Sequence, residues 1–151
     1  MRKKDNNVLE LISSVVCDDI RREDNGKMIL IGVYGREVTV GALPALLIMS
    51  VFTIVQSKIA GDIPFTIRVI GDGDHQLIPN IPLVAKISGS LTANIVIKGL
   101  PINLLSEGKI TFQWKMEEGT DWGTIFELRV KKGEVPELAT PLTFPPDAPS
   151  A

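Results

Sequence analysis

The chain has 151 residues, about one domain's worth, and its 44% hydrophobic and 23% charged residues match ordinary globular domains, which excludes wholesale disorder. Its 16 basic and 18 acidic residues leave a formal net charge of −2, so the basic footprint of a nucleic-acid-binding domain is missing. A lone cysteine, Cys17, excludes an internal disulfide and any zinc site built on cysteine pairs.

Met1-Arg2-Lys3-Lys4 resembles the basic start of a secretion signal. Asp5, Asn6 and Asn7 follow it, and Glu10 interrupts the apolar run 8–16, so no cleaved signal is expected. A reducing, cytoplasmic setting fits the single thiol. Residues 8–12 are one of two short stretches able to support a helix. Residues 17–23 read as a charged strand, with Asp19, Arg21 and Glu23 on one face and Asp18, Arg22 and Asp24 on the other. Opposite charges two apart can pair along it. Such a strand is a charged sheet edge that resists aggregation, a recognition surface, or a carboxylate cluster.

Asp24-Asn25-Gly26 then marks a tight turn, because Asn-Gly supplies the positive φ values that hairpins demand. In residues 27–34, Met28, Leu30, Gly32 and Tyr34 alternate with Ile29, Ile31 and Val33. A strand apolar on both sides reads as an interior strand of a covered sheet. Residues 38–57 run uncharged for the roughly 20 positions a membrane helix needs. Gly41, Pro44, Ser50 and Thr53 break that run and β-branched residues crowd its ends, so it reads as two strands joined at 41–44. Within it, 46–52 is the second possible helix.

Phe65, Ile67 and Val69 alternate with Thr66, Arg68 and Ile70, and Gly71-Asp72-Gly73-Asp74 turns the chain toward 76–78. Pro79 and Pro82 mark edges or loops, since proline cannot donate to an interior ladder. Residues 91–98 read as a strand ended by Gly99-Leu100-Pro101, and Ser106-Glu107-Gly108 turns into the next. Ile110, Phe112, Trp114 and Met116 then alternate with polar residues, and Phe126, Leu128 and Val130 do the same after Glu118-Gly119-Thr120-Asp121. Two such runs about a Gly-containing link predict a hairpin with Trp114 in the core. Seven to nine strands at this spacing predict an all-β, immunoglobulin-like antiparallel β-sandwich over residues 1–135. A proline-rich tail follows over 136–151, ordered at most where Leu142 and Phe144 find a groove.

Cys17-Asp18-Asp19-Ile20-Arg21-Arg22-Glu23, followed by Asn25-Gly26-Lys27 and Leu30-Ile31-Gly32-Val33-Tyr34, resembles the opening of an uncharacterised bacterial domain-of-unknown-function family. Its signature is CDDIR.E..GK..LIGVY-like and leads to an uncharged strand entered through Leu-Pro, here Leu43-Pro44. The close match covers about twenty residues. The resemblance implies a small β-rich bacterial protein and carries over no activity and no site residue.

His75, the lone histidine, could pair with Cys17 as base and nucleophile, but a thiol opening a strand is ordinarily a buried small apolar group. Asp72 and Asp74 could form part of a calcium loop, completed by Asp18 or Asp19, yet Asp-Gly is also a common hairpin turn. Trp122, at the tip or first rung of the late hairpin, either clamps it or anchors a partner. The reading that absorbs these features is a non-enzymatic binding or scaffolding module without cofactor. It would contact a protein partner or a second copy through Asp18, Asp19, Arg21, Arg22, Glu23 and Trp122, not nucleic acid or membrane. The alternatives are a metal-dependent hydrolase using the acidic loops and a membrane-tethered accessory protein.

Overall fold

The computed structural model describes residues 7–134, and every alternating segment in that range is extended. The strands are β1 (Leu9–Arg22), β2 (Met28–Val33), β3 (Glu37–Val40), β4 (Ala45–Ser57), β5 (Gly61–Ile70), β6 (Ile81–Ile87), β7 (Thr92–Leu104), β8 (Gly108–Met116) and β9 (Gly123–Lys132). They form a four-stranded sheet, β2-β1-β4-β7, and a five-stranded sheet, β3-β9-β8-β5-β6. The result is the all-β sandwich that the alternation predicts. Neighbours run antiparallel except β3, which lies parallel to β9. The proposed boundary at 135/136, the basic N-terminus and the groove for Leu142 and Phe144 lie outside the described residues.

The inner faces interlock by the period-two rule. Val16, Met49, Val51, Val55 and Ile102 of one sheet join Phe65, Ile67, Val69, Ile110, Phe112 and Leu128 of the other in one core. Trp114 belongs to it, edge-on to Phe65 at 6.1 Å between centroids, a pairing worth about 0.5–1.5 kcal/mol beyond its buried area. The late hairpin forms as expected. A bulge at Ile125, between the pairs Phe112–Phe126 and Gln113–Thr124, adds Ile125 to the core beside the predicted Leu128 and Val130.

Four local expectations are corrected. Residues 8–12 and 46–52 are strand, because both segments find ladder partners: β1 pairs with β4, and β4 also with β7. Residues 17–23 are no separate edge; through Arg22 they are the second half of β1, which lies inside its sheet between β2 and β4. The apolar strand β2 is the edge instead. Finally, the strand at 91–98 does not stop at Gly99. That residue takes φ +72° opposite Ser50, whose Oγ accepts the Gly99 N–H at 3.2 Å, and the bulge lets β7 run on to Leu104. Pro101 is tolerated there because β7 is an edge.

Residues 38–57 are indeed two strands, and they belong to different sheets: β3 lies beside β9, and β4 beside β1. Among the described residues no helix is long and apolar enough to cross a membrane.

Candidate functional site

The sandwich has two outer faces of opposite character. Register places Arg68 beside Gln113, Thr66 beside Lys115, Lys109 beside Arg129, and Glu37 beside Arg129 on the outside of the five-stranded sheet. Lys109 meets Glu127 at 3.7 Å and Lys131 meets Glu37 at 3.0 Å. Trp122 folds onto this charged surface. Arg68 Cζ lies 4.1 Å and Lys115 Nζ 4.9 Å from its ring centroid, while Arg68 Nε donates to Gln113 Oε1 at 2.8 Å. The indole therefore ties the hairpin tip to β5 and β8.

The outside of the four-stranded sheet exposes several large apolar side chains on β2 and β4. On β2, Ile29, Ile31 and Val33 are 42, 40 and 59% exposed, and on β4, Leu46 and Ile48 are 58 and 48% exposed. Pairing sets Val33 opposite Cys17, Ile31 opposite Asp19 and Ile29 opposite Arg21. The β1–β4 ladder ends at Cys17–Ser50, and by the period of two Ile48 and Leu46 lie on the same outer side of β4 as Ser50. The β2 and β4 sets flank the β1 strand, whose Asp19 and Arg21 stand beside Ile31 and Ile29.

Three charges sit within this apolar field. Asp19 accepts from Arg21 Nε at 3.2 Å and meets Lys98 Nζ at 3.4 Å. The Arg21 hydrogen bond is the main reason the Asp19 carboxyl is held below its usual range, with the Ile20 backbone next. The Lys98–Asp19 bridge spans from β7 to β1 across β4, where Cys17 and Ser50 are fully buried although they occupy the outer side. Burial is the main reason the Cys17 thiol is pushed up; the Ile31 backbone hydrogen bond opposes it, and the nearby Asp18 and Asp19 charges add to the rise.

The apolar face ends at an edge without the usual protection. β3 is four residues long and carries Glu37, β6 carries Pro82 and Lys86, and β7 carries Pro101 and a bulge beside Lys98. Each is a device that discourages strand addition. β2, Met-Ile-Leu-Ile-Gly-Val, has no charge and no proline.

The candidate residues are thus divided. Asp19 and Arg21 share the apolar face, whereas Trp122 lies on the outside of the other sheet. Asp18 accepts the Tyr34 hydroxyl at 2.8 Å, and its carboxylate occupies the space where a side chain on Gly32 would project. Glu23 closes the predicted turn: its N–H donates to Lys27 O at 2.8 Å and its carbonyl accepts from Gly26 at 2.9 Å. Arg22 is the last residue of β1, next to that turn.

Asp72 and His75 line a cleft of about 270 Å³ with Leu77, Leu104 and Glu107. Asp72 there receives the Lys109 N–H at 3.4 Å, which secures the start of β8. The acids at 18–19 and those at 72–74 therefore serve different sheets and are not brought together, and His75 and Cys17 are likewise apart. Among the described residues no three His, Cys, Asp or Glu side chains gather as a metal-binding group. The apolar face itself escapes sequence reading, although Ile29, Ile31 and Val33 were visible as one alternating set; alternation does not say whether anything covers them.

These features define an all-β sandwich whose four-stranded sheet exposes large apolar side chains on β2 and β4. The chain belongs to DUF6941, a family of unknown function, whose model matches residues 12–131. No curated protein matches it.

Proposed function

We propose that this protein is a non-enzymatic, cytoplasmic binding module of immunoglobulin-like build, which docks a protein partner through the outer face of β2-β1-β4-β7. One observation carries the reading: five large apolar side chains, each at least 40% exposed, lie together on that face beside an unprotected edge. The non-enzymatic part is supported by the acids' existing commitments, Asp18 to Tyr34, Asp19 to Arg21 and Lys98, and Asp72 to the Lys109 backbone.

Connectivity supports the immunoglobulin-like part. β1, β4 and β7 follow the order of strands A, B and E, and β5, β8 and β9 that of C, F and G, with β6 beside β5 as in variable-type domains. β2 is then an addition outside strand A, and it supplies three of the five exposed apolar side chains, Ile29, Ile31 and Val33.

The test is site-specific photo-cross-linking in the producing cell. A photoreactive residue at Ile48 should give discrete protein adducts, lost on Ile31→Lys, while one at Arg129 on the charged face should not. Equal labelling from both positions, or none from Ile48, would reject the docking face.

A further inference from the structure

We propose that the seam between β6 and β7 is a binding slot for a medium-chain fatty acid, a site independent of the outer docking face. β6 and β7 are the edges of different sheets, and no ladder joins them. One cleft is lined by both strands.

Register shows which side chains enter it. Leu83 and Ala85 stand beside Phe65 and Ile63, and Ile97 and Ala93 beside Val51 and Val55, so all four point into the sandwich. Those core neighbours are at most 6% exposed, yet Leu83, Ala93, Ile95 and Ile97 are only partly buried. Inward-facing apolar groups are thus left short of cover where the sheets end. The space beside them measures about 270–290 Å³ in scale, 290 Å³ for the cleft itself, and reaches the core residues Phe65 and Ala85. Small-molecule sites begin at about 300 Å³. Two alanines, Ala85 and Ala93, keep the slot open where the other inward positions carry Leu, Ile or Phe.

Shape and rim select the occupant. Packed sheets lie about 10 Å apart, so a slot between their edges suits a linear chain. Ala93 to Ile97 runs about 13 Å along β7. With C–C bonds of about 1.5 Å, a saturated chain of about ten carbons spans that length. At the rim, Val84 and Val96 extend the apolar walls, while Lys86 and Asn94 supply a polar end. Among the described residues no ion pair engages Lys86, although Asp62 is its cross-strand neighbour. The ammonium is therefore available to a carboxylate, to which the Asn94 amide can also donate.

Titration of the full chain with decanoate, followed by NMR shifts below its micelle concentration, tests the site. Saturable shifts should centre on Ala85, Ala93 and Ile95 and leave Ile29 and Ile48 on the outer face unmoved. Ala93→Leu fills the slot and should weaken binding about tenfold or more. Lys86→Gln should weaken it about threefold, as loss of an exposed ion pair does, and Lys86→Glu further. Circular dichroism and urea midpoints should confirm that the variants fold. Should Ala93→Leu not fold, the wild-type shift map and the two Lys86 variants decide.

Absence of saturable shifts would overturn the proposal, as would shifts centred on Ile29 and Ile48. Unchanged affinity in folded Ala93→Leu, or in both Lys86 variants, would do the same.

Discussion

The Tyr34 hydroxyl donates to Asp18 Oδ1 at 2.8 Å, tying the residue after β2 to the strand beside it. Burial first, then the Asp18 hydrogen bond and charge, push the phenol up to about 12. The folded value lies above the unfolded one of about 10, so the associated stability is fully present below pH 10 and is lost as pH rises toward 12. The ring is partly exposed, so solvent screening leaves about 1 kcal/mol. Urea midpoints between pH 8 and 11 should fall for the wild type and less for Tyr34→Phe. Parallel decline in both would remove Tyr34 as the cause.

Gly32 faces the same carboxylate from below. It holds φ +67°, and a Cβ there would collide with Asp18. Gly32→Ala therefore combines a left-handed backbone penalty with displacement of Asp18 from Tyr34, about 2 kcal/mol together. The melting temperature should drop by about 4–8 °C. The loss should be less than additive with Tyr34→Phe, because both act on Asp18.

Cys17 should be a poor nucleophile. Its side chain is fully buried, its thiol is pushed up by desolvation, and its Sγ donates to Asp19 O at 3.4 Å. Reaction with a small disulfide reagent should be about a hundredfold or more slower in the native protein than in urea. Comparable rates would mean that the Lys98–Asp19 bridge does not shield it.

Trp122 is a clamp in this structure. Trp122→Ala removes both cation contacts, at about 0.5–1 kcal/mol each, and leaves the Arg68–Gln113 hydrogen bond in place. Urea denaturation should record a loss of about 1–2 kcal/mol with sedimentation unchanged. Unchanged stability with lost association would instead make the indole a contact residue.

The late hairpin, the core position of Trp114 and the turn at Asn25-Gly26 were legible because each depends on neighbours in the chain. Ile110 through Met116 and Phe126 through Val130 carry their own alternation, and Gly119 and Gly26 mark where each chain reversal falls. The exchange of roles between β1 and β2 was not legible. Charged residues at 18–24 suggested an edge and the apolar 27–34 an interior strand, yet β4 pairs with β1 and leaves β2 outermost. Likewise Gly99 and Pro101 spelled a strand end until Ser50 on the neighbouring strand offered its hydroxyl to the bulge.

The sequence by itself therefore determined that the chain is pleated, where it turns, and which side chains share a face, since all three follow from backbone sterics and a period of two. Only the tertiary structure decided which face is covered, which strand is outermost, and that Asp19, Arg21 and Lys98 meet within an exposed apolar field. Those depend on pairing between segments as far apart as Glu37 and Arg129, whose choice rests on the summed burial of two sheets.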